Sequence, residues 1–245
     1  MPEDNDLWLA GVDGCKAGWA AVIRNLADPA SIRLEIVPDF ESLVNFSPSL
    51  GIIAVDMPIG LPDFISPGGR GPEKAARMHL GDRQSSVFAV PSRAAVYETD
   101  YSDACSSAFR TSEPPRKVSK QCFFLFPKIR EIDALMTLDL EKRVYEVHPE
   151  LAFWRLNGER EMSLPKKVKS RANPEGLDQR RDLLVRNGLP KEFLDQPPTK
   201  GCGRDDLLDA AANSLIAERI HLGLAAPFPE FPRRDDRGLR MAIWA

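Results

Sequence analysis

The chain has 245 residues, 43% apolar and 28% charged, a balance that argues for a globular protein and against disorder. Its 33 Lys and Arg against 36 Asp and Glu leave a net charge of −3, so the chain as a whole is no general binder of polyanions. No apolar stretch approaches the roughly 18 residues needed to cross a bilayer. The acidic start MPEDNDLW does not read as a signal peptide, and four cysteines with no CxxC pair or zinc-like His spacing suggest reduced thiols.

The expectation is a soluble, cytoplasmic protein with one domain over residues 1–245 and an insertion at about 62–130. Charge is uneven along the chain. Residues 66–130 hold 11 Lys/Arg and 6 Asp/Glu, net +5, which leaves 22 and 30, net −8, for the remainder. That asymmetry suits an anionic substrate approaching an acidic site, although solvated loops give the same counts.

LWLAGVDGCKAGWAAVIRN (7–25) reads as two strands joined by a turn containing Gly14 and Gly18, and SIRLEIVP (31–38) as a third, half-exposed strand. DFESLVNF (39–46) reads as a short helix with Asp39 at its N-cap. GIIAVDMPIG (51–60) is a continuous apolar run, as in a strand covered on both faces. The pattern is a three-stranded meander, then a helical crossover to a fourth strand parallel to a neighbour. From Pro62 to Lys120 the chain is rich in Gly, Pro, Ser and Arg, with a helix near 72–80. QCFFLFPKIREIDALM (121–136) is partly helical with Pro127 interrupting, RVYEVHPE (143–150) is a short strand ending at proline, and PEGLDQRRDLLVRNGLP (174–190) is an amphipathic helix. The last strong element is a helix from Asp205 to about Leu222.

At about 100° per residue, Asp206, Asp209 and Asn213 of that helix share one arc, which continues into Ile216 and Ile220. A carboxylate stripe that becomes an apolar stripe is not a solvent face, so the helix should be largely buried. Asp205 reads as the N-cap. Asp206 has two readings, dipole partner in the first turn or site residue, whereas Asp209 lies a full turn in, beyond the reach of capping.

Asp13 and Asp56 each end an apolar strand, after LAGV and IIAV. A turn-forming Asp is common at a strand end. If the two strands are parallel neighbours, however, both carboxylates emerge at the sheet edge where open α/β sheets bind ligands. Carboxylates brought together and partly desolvated need protons or a cation, and no cluster of basic side chains accompanies these four in sequence. Mg²⁺ or Mn²⁺ with oxygen ligands is the natural neutraliser. Two such ions roughly 3.5–4 Å apart would clamp a phosphate and activate a water.

The order of these pieces resembles the ribonuclease H-like superfamily, and DDLLDA (205–210) is similar to the last helix of Holliday-junction resolvases. More closely, the chain resembles the family called domain of unknown function 429, described as predicted nucleases of ribonuclease H fold. The resemblance rests on GVDGCKAGW (11–19), VDMPIGLP (55–62), LGDRQSSVFAVPSR (80–93), VYEVHPE (144–150), PEGLDQRRDLL (174–184), DDLLDA and GLRMAIW (238–244). These run in order from end to end. KVKSRANPEG (167–176) departs from the usual lead into the PEG helix by being longer and more basic. The resemblance implies an α/β fold with a ribonuclease H-like mixed sheet, a three-stranded meander plus parallel strands, interrupted by the large Gly/Pro/Arg-rich insertion. It implies a metal site at Asp13, Asp56, Asp206 and Asp209, and nuclease activity on DNA or RNA.

Further candidates surround these four. Glu146 and His148 are two apart on one strand face, so Glu146 is a possible added ligand and His148 a proton shuttle or a structural histidine. Glu150, just past the proline, is expected to be exposed. Lys16, between Gly14 and Gly18, either assists a phosphate or sits in a plain hairpin. Arg83, Ser85, Ser86 and Arg93 form a polar, cationic patch suited to phosphate oxygens. Trp8, Trp19 and Trp154 are expected in the core rather than as base-stacking platforms. Against the nuclease stand a non-catalytic binding protein that keeps the fold, and an actin-like nucleotide phosphotransferase, whose usual roughly 350 residues exceed this chain.

Overall fold

The computed structural model describes residues 7–67, 69–169, 171–197 and 199–245, so most of the acidic start lies outside the described residues. The first strands are β1 (Trp8–Cys15), β2 (Gly18–Asn25) and β3 (Ile32–Val37), followed by α1 (Phe40–Val44) and β4 (Leu50–Val55). β1, β2 and β3 form the antiparallel meander, and β4 returns parallel to β1. Asp39 caps α1 as its position suggests, accepting from the Ser42 N–H at 2.8 Å. The turn between β1 and β2 is tighter than expected. Gly14 and Gly18 are both within the paired strands, and only Lys16 and Ala17 form the turn.

After β4 the chain makes α2 (Pro72–Arg77), a 3₁₀ turn at Gly81–Ser86, α3 (Arg93–Val96), α4 (Tyr101–Arg110) and α5 (Lys120–Leu135). The chain then enters β5 (Val144–Glu146), parallel to β4. α5 runs through Pro127 without interruption. The missing N–H sacrifices one helical bond, and packing of Cys122, Phe126, Ile129 and Ile132 in the core holds the helix together regardless. The remaining elements are α6 (Pro149–Leu156), the two-residue strands β6 (Lys167–Val168) and β7 (Arg171–Ala172), α7 (Pro174–Arg186), α8 (Lys191–Leu194), α9 (Arg204–His221), and the hairpin β8 (Pro227–Arg234) and β9 (Arg240–Trp244). That hairpin, beyond the last helix, has no counterpart in the sequence reading.

The result is a mixed α/β architecture around a five-stranded sheet in the order β3-β2-β1-β4-β5. Each face is covered. Ala10, Val12, Ile53 and Val55 pack towards α1, α3, α4 and α5, while Leu9, Ile52 and Ala54 pack with α6, α7 and α9. Double coverage explains why β1 and β4 read as continuous apolar runs, whereas edge strand β3 alternates and keeps Arg33 and Glu35 towards solvent. α9 lies against β1 through small residues. A Cβ at Gly11 would stand 1.9 Å from the Ser214 nitrogen and 2.2 Å from the Ala210 oxygen, so only glycine permits this approach.

Two buried polar ties shape the loops above the sheet. Asp235, between β8 and β9, accepts from the Leu61 N–H at 3.0 Å and from Leu239 N–H at 2.8 Å, which fixes the hairpin over the segment leaving β4. Arg70 donates to the Ile59 and Gly60 carbonyls, both at 2.9 Å, and pairs with Glu73 and Glu146. Trp19 and Trp154 are buried, as expected, and Trp8 is half-buried with Arg33 stacked over it. All four cysteines are free and buried. Among the described residues no helix is long and apolar enough to cross a membrane.

Candidate active site

β1 and β4 end together. Val12 pairs with Val55, and the Asp56 N–H donates to the Val12 carbonyl at 3.0 Å, so Asp13 and Asp56 leave the sheet side by side. Strand alternation directs both to the face that α9 covers. The Asn213 amide donates to the same Val12 carbonyl at 3.0 Å and fixes the register of α9 over this edge. Asp209, one turn earlier on the helix, is therefore brought to the carboxyl ends of β1 and β4. It is only 7% exposed.

Burial and mutual repulsion raise the pKa values of this group. Burial, then Asp209, Asp56 and Asp206, push the Asp13 carboxyl well above its usual range, with Lys166 opposing. Asp56 is pushed up to about 7 by burial and then by Asp209, and Asp209 to about 6, chiefly by burial. Asp206 is raised less, because burial is countered by the Gly203 N–H that it accepts at 2.8 Å. The carboxylates thus interact through space in a water-poor site, a costly arrangement for the folded chain and a typical one for functional sites.

Lys166 is the cation that answers them. Its ammonium pairs with Asp209 Oδ2 and lies 3.6 Å from Glu150 Oε1. Glu150 accepts through both carboxylate oxygens from one nitrogen of the Arg180 guanidinium, each contact at 2.8 Å, and Arg180 is itself fully buried. Burial works to raise Glu150, but Lys166 and Arg180 overcome it and hold the carboxyl below its usual range. The second oxygen of Asp209, Oδ1, is buried and has no hydrogen-bond partner.

Among the described residues no three His, Cys, Asp or Glu side chains already converge on one point suited to a metal ion. The chemistry of the donors nevertheless fits a hard divalent cation. All are carboxylates, all four have raised pKa values that a cation would reverse, and Asp209 Oδ1 is an orphaned acceptor.

Two adjoining cavities open at this edge, with Asp13, Ser86 and Phe88 lining both. One, of about 390 Å³, is a polar cleft lined by Asp13, Asp206 and Asp209 together with Arg83, Ser85, Ser86, Lys166 and Lys167. The other, of about 170 Å³, is mainly apolar and reaches inward past Asp13, Asp56 and His148 to Val90 and Ile129. Both are walled partly by the segment between β4 and β5, so that segment contributes to the site instead of merely decorating the fold.

The structure brings Asp13, Asp56, Asp206, Asp209, Arg83, Ser85 and Ser86 to these cavities. Other expectations need correction. Glu146 lines the apolar cavity, but its carboxylate is committed: Arg70 holds one oxygen and the Ile59 N–H donates to the other at 2.8 Å. With a donor on each oxygen it serves as the buried partner of Arg70 rather than as an open ligand, and burial pushes its carboxyl up to about 7 against the pull of Arg70. β5 ends at Glu146, so His148 does not share its strand face. His148 is the residue preceding α6, with Nε2 3.4 Å from the Ser86 carbonyl oxygen. Burial, with Lys166 adding, pushes its imidazole down to about 4, so it is neutral at physiological pH.

Glu150 is buried, not exposed, because Pro149 opens α6 and turns the next side chain towards Arg180. Asp205 is not the N-cap: α9 starts one residue earlier, after Gly203, and Asp205 pairs with Lys167 at 2.8 Å. Arg93 lines neither cavity. Its guanidinium pairs with Asp133 at 3.1 Å and Asp235 at 2.6 Å, both buried, and so ties α5 to the C-terminal hairpin. Lys16 sits exposed on the β1–β2 turn and also lines neither cavity.

Lys166, Glu150, Arg180 and Arg70 are the members that the sequence reading missed. Arg180 carries a legible signal, since it falls on the apolar stripe of α7 with Leu177 and Leu184, three before and four after it. Lys166 carries none. Nothing in LPKKVKS distinguishes it from its lysine neighbours, and only the fold of β6 and β7 carries it over Asp209.

No curated protein and no solved structure matches the chain significantly. A family model does, the one described as protein of unknown function (DUF429), over residues 11–234. That span runs from within β1 to the end of β8 and takes in every carboxylate of the site, and the chain therefore belongs to the DUF429 family.

Proposed function

We propose that this protein is a metal-dependent nuclease of ribonuclease H-like fold that hydrolyses phosphodiester bonds of nucleic acid. One observation carries the reading. Three carboxylates with raised pKa values, Asp13, Asp56 and Asp209, are gathered from two parallel strand ends and one buried helix, at the edge of a sheet ordered β3-β2-β1-β4-β5. Asp13, Asp56, Asp206 and Asp209 would hold Mg²⁺ or Mn²⁺. Such ions supply polarisation of a phosphoryl oxygen and a water acidic enough to attack at neutral pH, in the two-metal form when both positions are filled.

The chain's own groups have separable tasks. Arg83, Ser85 and Ser86, which line the same cleft as Asp13, Asp206 and Asp209, bind phosphate oxygens and orient the scissile bond. Lys166 keeps Asp209 ionised before substrate arrives and adds positive charge beside the phosphate.

The test is a nuclease panel of single- and double-stranded DNA, RNA and hybrids in Mn²⁺, comparing wild type with Asp56→Asn and Asp209→Asn. Cleavage by wild type and its loss in both variants is expected. Cleavage that survives both substitutions refutes the mechanism. One observation favours a second reading, a binding protein that retains the fold: Lys166 already neutralises Asp209 in a site where, among the described residues, no three ligands converge. Metal binding without cleavage of any member of the panel would select it.

A further inference from the structure

The proposed nuclease site uses the polar cleft and, from its neighbour, the apolar cavity, only the carboxylates Asp13 and Asp56, which leaves the apolar walls of that cavity without a task. We propose that this cavity receives a single unpaired nucleobase of the bound strand, while the attached phosphate lies in the cleft. The inference rests on the nucleic-acid reading above and specifies the substrate as one with an unstacked or bulged nucleotide.

Size comes first. The cavity holds about 170 Å³, and an apolar protein cavity of about 150 Å³ is enough to admit benzene. One six-membered aromatic ring fits; a base pair does not. Its walls are suited to a ring. Val87, Phe88, Val90, Leu125, Ile129 and Val147 supply apolar contact from the inserted segment, α5 and the residue after β5.

Apart from Asp13 and Asp56, which belong to the proposed metal site, polar groups are few, and their states differ. Glu73 and Glu146 are tied to buried Arg70, so neither competes for a ligand. His148 lines the cavity as a neutral ring whose Nδ1 is buried without a hydrogen-bond partner, an omission that a base edge would repair. Ser86 stands on the wall common to both cavities, and its hydroxyl, donating to the Arg83 carbonyl at 2.8 Å, keeps its acceptor lone pairs.

Connectivity then selects the ligand. Asp13, Ser86 and Phe88 border both spaces, so a molecule can span them, with a flat apolar ring inward and an anionic group outward beside Arg83 and Lys166. A nucleotide has that division of character. A stacked duplex base cannot enter unless it swings out, which costs least where it is already unpaired.

The experiment measures wild-type binding in Ca²⁺ by fluorescence anisotropy, using three labelled DNA duplexes: fully paired, with one bulged thymidine, and with one bulged abasic nucleotide. The bulged base is expected to bind at least about tenfold more tightly than either control, equivalent to about 1.4 kcal/mol. Val90→Phe, which fills the cavity and leaves every cleft residue in place, should erase that preference while keeping the affinity for paired DNA. Equal affinity for bulged base and bulged abasic site overturns the proposal without a variant, as does a preference that survives Val90→Phe. Base-blind binding with metal-dependent cleavage overturns the pocket alone. Absence of both binding and cleavage overturns the nuclease reading with it.

Discussion

Replacing Asp56 by asparagine should stabilise the metal-free protein at alkaline pH while removing its activity. Asp56 is pushed from 3.8 to about 7 by burial and by Asp209. A carboxyl whose folded value exceeds its unfolded value favours the folded state in its protonated form. Its stability is therefore complete below about pH 4 and declines as pH rises towards 7. Every tenfold gain in proton affinity corresponds to about 1.36 kcal/mol, so a rise of this size costs about 4 kcal/mol once the site is ionised. Asp56 keeps some contact with solvent and titrates jointly with Asp13 and Asp209, which lowers the expected gain to about 2–4 kcal/mol. Asparagine is isosteric and cannot ionise. The assay is urea unfolding in EDTA at about pH 4 and about pH 8. Wild type and Asp56→Asn should be close in stability at the lower pH, with the variant clearly ahead at the higher one. A gap that does not widen with pH, or a variant less stable at the higher pH, refutes the electrostatic account of the site.

Manganese should reverse the same strain, since it binds the deprotonated carboxylates. At a hundredfold excess over Kd it adds about 2.7 kcal/mol, a rise in Tm of about 5–10 °C for a chain of this size. The rise should be larger at about pH 8 than at about pH 5, as scanning calorimetry would show. Gly11→Ala should cost at least about 3 kcal/mol in chemical denaturation, because backbone atoms of α9 meet the new methyl and cannot rotate away. Arg93→Ala should lower stability by about 3 kcal/mol, leaving Asp133 and Asp235 under-paired, with oligonucleotide affinity per folded molecule unchanged. Arg83→Ala should do the opposite, weakening oligonucleotide binding while leaving the unfolding free energy within about 0.5 kcal/mol.

The periodicities of the chain carry far in some places. The meander, the capped α1 and the parallel return of β4 follow from alternation, an N-cap aspartate and an apolar run too continuous for a half-exposed strand. The arc of Asp206, Asp209 and Asn213 is likewise helical geometry. Asn213 reaches the end of β1 as that arc requires. Local rules failed where tertiary packing outweighs them. Pro127 did not break α5, which the core holds on one side. The hairpin β8–β9, with prolines inside its first strand, gave little local signal because its register is imposed by Asp235 and by packing of Ile243.

The site divides along the same line. That Asp13, Asp56, Asp206 and Asp209 come near one another at the ends of β1 and β4 is legible from the chain itself, because strand ends and helix faces are local properties and a buried carboxylate on an apolar element demands a partner. Which partner each carboxylate finds is not local. Arg70 reaches Glu146, Arg180 reaches Glu150 and Lys166 reaches Asp209 across 76, 30 and 43 residues of chain. Charge can be counted in sequence, but the neutralisation of a buried charge depends on distance and desolvation, and both exist only once the chain has folded.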